Sequence, residues 1–527
     1  MNIKTFTSQL PDKEKTPLVL QLLEIIQMQA EEIQKLKDEI ARLKVQKPRP
    51  EIKPSMLEKS LTQGSENKHK KRPGSKKRFK TKDLQIHEEK AIAPLDIPAG
   101  SRFKGYQDYV VQDIKFESYN IRYRLERWQG PNGEYIIGKL PPEIMGSHFG
   151  CTLRSFILYQ YYHALVTQPL ILEQLFEIGV DISSGEVNRI ITEDKEIFHH
   201  EKEEILKVGL QVSKYIHVDD TGARHNGKNG YCTHIGNELF ACFESTESKS
   251  RINFLRILCA GRNDYVISPD AIGYMEAQKL PQKELLKFSH LINTTYESEH
   301  AWQEKLAALN ITMSRHIQIA TEGALLGSVL EYGFNTDMVI ISDDAGQFDI
   351  LLHALCWIHA ERTIHKLVGF NDRQSKALEE TRSDIWNFYA ELKKYKEFPN
   401  SKEKRRLRAR FDEIFTVKTC FATLNQALKR LYKNKSELLL VLERPDIPLH
   451  NNLSENDIRE YVKRRKISGS SRSAPGRRCR DTFASLKKTC RKHGISFWNY
   501  LQDRLKNGNM VPDLPGLIRV RALEFFA

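Results

Sequence analysis

The stretch TDMVIISDDAGQF, residues 336–348, decides the fold. Met338 to Ile341 is an apolar, β-branched run of the length of one buried strand, and it stops at Asp343-Asp344 before a turn carrying Gly346. Acidic residues at the carboxyl end of a buried strand stand where α/β sheets place function. Upstream, KYIHVDDTGAR (214–224) is a second β-rich run, ending in Asp219-Asp220-Thr221 and followed by the strand-like NGYCTHIGN (229–237) and LFACFES (239–245). Downstream, PLHNNLSENDIREYVKRRK (448–466) opens a helix with Ser454 as candidate cap, Glu455 in the first turn, and Ile458 and Val462 on the apolar stripe. Taken singly, strand-end Asp pairs are turn formers and a first-turn Glu answers the helix dipole. Three such sites in one basic chain suit a hard divalent ion, which takes carboxylate oxygens and assists phosphoryl transfer.

The chain has 527 residues, and its 82 Lys+Arg against 68 Asp+Glu leave a formal charge of +14. That length predicts two to four domains, and a hydrophobic fraction of 40% excludes wholesale disorder. Residues 1–90 carry +8 and residues 456–527 carry +11, so the middle is mildly acidic at about −5. Basic ends suit a polyanion, because neutralising phosphates releases counterions. The eight cysteines are scattered without a C-x-x-C pair, which reads as reduced cytosolic thiols with no zinc ribbon. The run TPLVLQLL is broken by Gln21 and Glu24 and is no secretory leader, and the uncharged stretch Ser155 to Leu172 is a buried helix rather than a membrane span.

Residues 17–45 show a heptad pattern with Val19, Ile26, Ile33 and Ile40 at a and Leu22, Gln29, Leu36 and Leu43 at d. Glu32 and Glu39 at g face Lys37 and Lys44 at e, which predicts a parallel two-stranded coiled coil and hence a homodimer or higher assembly. Residues 46–91 lose periodicity, and Lys68 to Lys82 holds nine Lys/Arg in fifteen residues, a basic linker able to lie along DNA through Lys70, Lys71, Arg72, Lys76, Lys77 and Arg78. From about Ile92, YQDYVVQDIKF (106–116) and NIRYRLERWQ (120–129) read as strands leading to the turn GPNGEYIIGKLPP (130–142). In QPLILEQLFEIGVDISSGEVNRIITE (168–193) an apolar helix, a turn at Gly179 and a second helix capped by Ser183 or Ser184 have a helix-turn-helix layout, with Ser184, Glu186, Asn188 and Arg189 on the exposed face.

These segments, in this order, resemble the DDE transposases of the insertion-sequence 66 type. The resemblance runs from about residue 92 to 510, through IPAGSRFKGYQDYVVQD, IIGKLPPEIMGSHFG, VTQPLILEQLFEIGVDISSGEVNRI, VDDTGAR, SDDAGQF, CWIHAER, NNLSENDIREYVKRRKISGS and SFWNYLQDRL. It implies a multidomain α+β protein whose RNase H-like catalytic core is a mixed sheet flanked by helices, preceded by a helical DNA-binding region and the N-terminal coiled coil. Its acidic triad falls on Asp219, Asp343 and Glu455, with Asp220 and Asp344 as the alternatives within each pair. It further implies Mg²⁺ at the triad, with Mn²⁺ able to substitute, DNA at the element's terminal inverted repeats and at a target, and small accessory proteins of the same element. The expected core spans 211–370 and 446–510, split by a helical insertion at 371–445 in the separation of 112 between Asp343 and Glu455, after a region 92–210 that is first β-rich and then helical. Residues 511–527 read as a tail.

Cys356 and His359 resemble the C-x-x-H element that follows the second Asp in related superfamilies and are expected beside the site, without zinc, since no second ligand pair is spaced for it. Many relatives carry a cysteine-rich module after the coiled coil, and this chain has no cysteine there. After Glu455, Arg464, Arg465, Lys466, Arg472, Arg477 and Arg478 form a basic run suited to a DNA backbone entering the site. The function these readings point to is Mg²⁺-dependent strand cleavage and strand transfer in a bacterial cytosol, without membrane. The alternatives are a non-catalytic DNA-binding regulator and an RNase H-like nuclease.

Overall fold

The computed structural model describes Gln29, residues 85–92, 101–104, 106–107, 110–111, 113–141 and 147–526. Residues 17–45 apart from Gln29, and all of Lys68 to Lys82, lie outside the described residues. Residues 114–527 form one compact unit and residues 1–113 the other. The protein is α+β. Its mixed sheet of five strands is flanked by helices, an arrangement compatible with an RNase H-like core.

A small hairpin comes first, β1 (Arg127–Gln129) against β2 (Tyr135–Ile137). The strand-like reading of 106–129 is corrected to this extent: its other described residues are irregular and mostly exposed, so alternation there did not find a second layer to pack on. The helices α1 (Cys151–Leu158), α2 (Gln168–Glu177), α3 (Ser184–Thr192) and α4 (Glu196–Val212) follow. The uncharged stretch from Ser155 ends α1 in a π turn, Tyr159–His163, and buries Ile157 and Leu158 completely. Gly179, at φ 78°, makes the turn between α2 and α3, and Ser183 is the cap of α3, its hydroxyl accepting from the Glu186 N–H at 3.1 Å.

The central sheet has the order β5-β4-β3-β8-β9. Strands β3 (Tyr215–Gly222), β4 (Tyr231–Gly236) and β5 (Ala241–Thr246) form an antiparallel meander, while β8 (Val339–Ser342) pairs parallel to β3, and β9 (Leu352–Leu355) parallel to β8. Between β5 and β8 lie α5 (Arg251–Leu258), β6 (Tyr265–Ile267), α6 (Pro269–Ala277), α7 (Gln282–Ser289), β7 (Thr294–Tyr296), α8 (Glu299–Ala308) and α9 (Ser314–Glu331). Gly327 of α9 sits where an added Cβ would stand 2.2 Å from the Val266 carbonyl oxygen, so only glycine lets α9 press against β6.

The period of two along the strands sorts their side chains between two cores. Ile216, Val218 and Ile340 join the helices on one face, whereas Tyr215, Val339 and Ile341 join a second core on the other. That second core packs α10 (Trp357–His365) with α11 (Asp372–Glu397), α12 (Ser401–Phe415), α13 (Ala422–Lys433) and the short α14 (Lys435–Leu438), the last four lying within residues 371–445. It covers a sheet face rather than hanging from a loop. The chain returns as α15 (Asn452–Ser468), α16 (Ala474–Lys492) and α17 (Phe497–Leu505). The predicted tail is instead a helix, α18 (Leu514–Phe525), with Leu514 and Ile518 fully buried. Among the described residues no helix is long and apolar enough to cross a membrane.

Candidate active site

Three elements bring three acids together. Asp219 lies near the end of β3, Asp343 directly follows β8, which is the fourth strand of the central sheet, and Glu455 is in the first turn of α15. Because β3 and β8 are parallel neighbours, their carboxyl ends share one edge of the sheet.

On β3, Tyr215, His217 and Asp219 share a face, and His234 stands opposite Asp219 on β4. That face receives α15. Asn451 holds the entry to the helix in three directions: its side chain meets His217 Nδ1 at 3.0 Å, its Nδ2 donates to the Val218 carbonyl at 2.7 Å, and its main-chain N–H donates to Cys356 Sγ at 3.2 Å. One turn on, Ser454 meets His234 Nδ1 at 2.7 Å. His217 is kept neutral, since burial lowers it to about 3.

The two acidic pairs divide in the same way. Asp220 points to the opposite face of β3, where Thr233 donates to it at 2.5 Å and Gln347 at 2.8 Å. Asp344 accepts from Arg430 and, at 3.1 Å, from Asn434, so it is turned to the insertion. By contrast, Asp343 Oδ1 is buried without a hydrogen-bond partner, and Asp219 accepts from the neighbouring Asp220 N–H at 2.7 Å. Burial first, and then the charges of Asp343, Asp220 and Glu455, raise the Asp219 carboxyl to about 7 against that hydrogen bond.

Glu455 accepts from Arg362 at 2.9 Å and lies 3.5 Å from His359 Nε2. Both residues are on α10, three positions apart and therefore on one helix face. Burial lowers His359, with Arg362 acting in the same sense and Glu455 and Asp343 opposing it. Cys356, buried, begins that helix, and burial raises its thiol. His359 thus sits beside Glu455, and Cys356 meets the Asn451 N–H at the start of the same helix. Arg362 and Asn451 escaped the sequence reading, although Arg362 is one turn beyond His359 in CWIHAER and Asn451 opens NNLSEN.

The carboxylates supply hard oxygen donors of the kind a divalent cation takes, one of them a buried oxygen that no protein group satisfies, although Asp219, Asp343 and Glu455 do not bring their ligand atoms within 4.8 Å of one another. Among the described residues the His and carboxylate groups whose ligand atoms all lie within 4.8 Å of one another are Asp349, His353 and Glu437, at the start of β9. Both His353 nitrogens are already hydrogen-bonded, to Ser342 at 2.8 Å and Glu437 at 2.7 Å.

The expected basic residues fare unevenly. Arg464 is corrected from a surface contact to an internal one, and Arg465 is half-buried. Arg464 is 7% exposed, lies over the Tyr161 ring and donates to the Tyr161 carbonyl, while Arg465 donates to the Gly222 carbonyl. Arg189 is exposed but paired with Glu186 of its own helix at 2.7 Å, and Arg478 reaches Glu203 at 3.4 Å. Lys466 and Arg472 are exposed. Lys70, Lys71, Arg72, Lys76, Lys77 and Arg78 lie outside the described residues.

The family model described as "Transposase IS66 family" matches residues 290–478, a span that contains Asp343 and Glu455. A protein of Sinorhizobium fredii (strain NBRC 101917 / NGR234), named "Uncharacterized protein y4jO", is 41% identical over 321 residues, which is 60% of this chain and 100% of that relative.

Proposed function

This chain belongs to the IS66 transposase family, and on that premise we propose that it binds the ends of its element and cuts and joins DNA strands at Asp219, Asp343 and Glu455. One observation carries the reading. Of four strand-end acids, Asp220 and Asp344 are held by Thr233, Gln347, Arg430 and Asn434, and Asp343 keeps a buried oxygen free while Asp219 is raised by burial first and then by its acidic neighbours.

A magnesium ion held by Asp219, Asp343 and Glu455 would activate an attacking oxygen and stabilise the leaving one. The chain's own groups do the rest. Arg362 orients the Glu455 carboxylate, Asn451 and Ser454 fix α15 against β3 and β4, and His359 stands within reach of Glu455. Hydrolysis of a phosphodiester frees a 3′-hydroxyl, which then attacks target DNA. Both steps are in-line transfers without a covalent protein intermediate. Lys466, Arg472 and Arg477, with the basic block from Lys68 to Lys82, supply phosphate contacts, the helix pair α2–α3 reads DNA, and the heptads of 17–45 join two copies. Small accessory proteins complete the assembly.

The test is strand cleavage on duplexes carrying the element's terminal repeats, with Mg²⁺ or Mn²⁺. Asp219→Asn and Asp343→Asn are expected to abolish nicking while leaving end binding largely intact, whereas Asp344→Asn keeps most activity. Normal cleavage by Asp219→Asn would sink the assignment.

A further inference from the structure

About 13 Å along α15 from Glu455, at 1.5 Å per residue, a cleft opens between α15 and α16 that the proposed chemistry does not use. Tyr162, Glu460, Tyr461, Arg464, Arg480 and Lys487 are among its lining residues. Two of its cations are accounted for by acids. Glu460 faces Lys487 at 2.5 Å, Lys488 at 2.9 Å and Arg491 at 3.0 Å, and these cations hold its carboxyl at about 2 although burial alone would raise it.

The two guanidiniums are not. Among the described residues neither Arg464 nor Arg480 has a carboxylate in ion-pair range, and the positive charge of Arg480 adds to burial in lowering Arg464. Arg464 caps the π turn by donating to the Tyr161 carbonyl, as Lys487 does to the Tyr162 carbonyl at 3.2 Å. Arg480 has no such acceptor. It stacks over the Tyr461 ring at 4.9 Å, and its Nε and Nη2 are buried with no hydrogen-bond partner. Nε and a terminal nitrogen of one guanidinium form the fork that matches two oxygens of a phosphate. Leaving both donors buried and unmet is unfavourable.

We propose that this cleft is a phosphate-group site, in which Arg480 grips two oxygens and Arg464 supplies the second positive charge. Resting on the transposase reading, the phosphate is one of the DNA backbone, held on the side of α15 turned away from Glu455.

The test uses the full chain in two arms. In the first, inorganic phosphate is titrated against chloride at constant ionic strength and melting temperature is read. The wild type is expected to rise by a few degrees, Arg480→Gln not at all, and Arg480→Lys by part of the shift. Equal shifts in wild type and Arg480→Gln overturn the site. In the second, terminal-repeat duplexes each carrying one neutral methylphosphonate are bound to wild type and to Arg480→Gln. A position that weakens the wild type about tenfold and leaves Arg480→Gln unaffected identifies the DNA phosphate. If phosphate sensitivity depends on Arg480 but no position does, the cleft takes a free oxyanion and the DNA source is rejected. A protein that binds no terminal repeat yet keeps the first result loses the transposase reading and retains the site.

Discussion

At Asp219 and Asp220 adjacent residues of one type receive opposite fates from a single geometric rule. Successive side chains on β3 face opposite ways, so Asp220 meets Thr233 and Gln347 while Asp219 meets the other acids. The cost of that gathering is measurable in the metal-free chain. The Asp219 carboxyl sits at about 7 when folded against an ordinary 3.8. Between those pH values the folded chain therefore keeps a proton that the unfolded chain has released, and stability falls as pH rises through the window, then levels off above it. Asp219→Asn is expected to flatten that slope and to be more stable at pH 8 by about 2–4 kcal/mol, read from thermal melts in chelator. Adding Mn²⁺ at pH 8 stabilises the wild type and not the variant. An unchanged slope in Asp219→Asn would remove the carboxylate gathering as its cause.

At the scale of elements, the site depends on helices that carry no ligand. Trp357 begins α10, is 1% exposed, donates to the Leu438 carbonyl at 3.0 Å and packs on Phe388, Phe411 and Phe415 of the insertion. Trp357→Ala is expected to cost about 3–5 kcal/mol and to slow cleavage, because the same helix carries His359 and Arg362. Denaturant melts and nicking rates check both, and loss of stability with a normal rate below the melting point would show that α10 holds its place without the wedge. Ser183→Ala, which removes the cap of α3, should cost only about 1 kcal/mol by the same melts. The acids and their strands were legible because each is a local pattern: an apolar run closed by Asp, or an N-terminal Glu. Arg362, Asn451 and Arg480 were not, because what distinguishes them is a partner 93 residues away, a three-way hydrogen-bond junction, and a missing acceptor. Residues 106–129 misled for the opposite reason, since alternation is local but a sheet is not.

For the molecule as a whole, charge is segregated: +8 over residues 1–90, about −5 in the middle and +11 after residue 455. The structure spends part of the last excess internally, on Glu460, Asp457 and the π-turn carbonyls. The N-terminal block should therefore dominate salt sensitivity. Deleting residues 68–82 is expected to lower the slope of log affinity against log salt by several units, near 0.9 for each phosphate the chain no longer neutralises, and an unchanged slope would take that block off the DNA. The parallel pairing of β3 with β8 has a further effect in time. Residues 219 and 343 become sheet neighbours across a long intervening chain, and α15 arrives more than a hundred residues later. At bacterial elongation speeds of about 5–20 residues per second, a ribosome is on the order of ten seconds past the second aspartate before it has made the glutamate. Every growing chain still short of residue 455 therefore lacks one of the three proposed ligands.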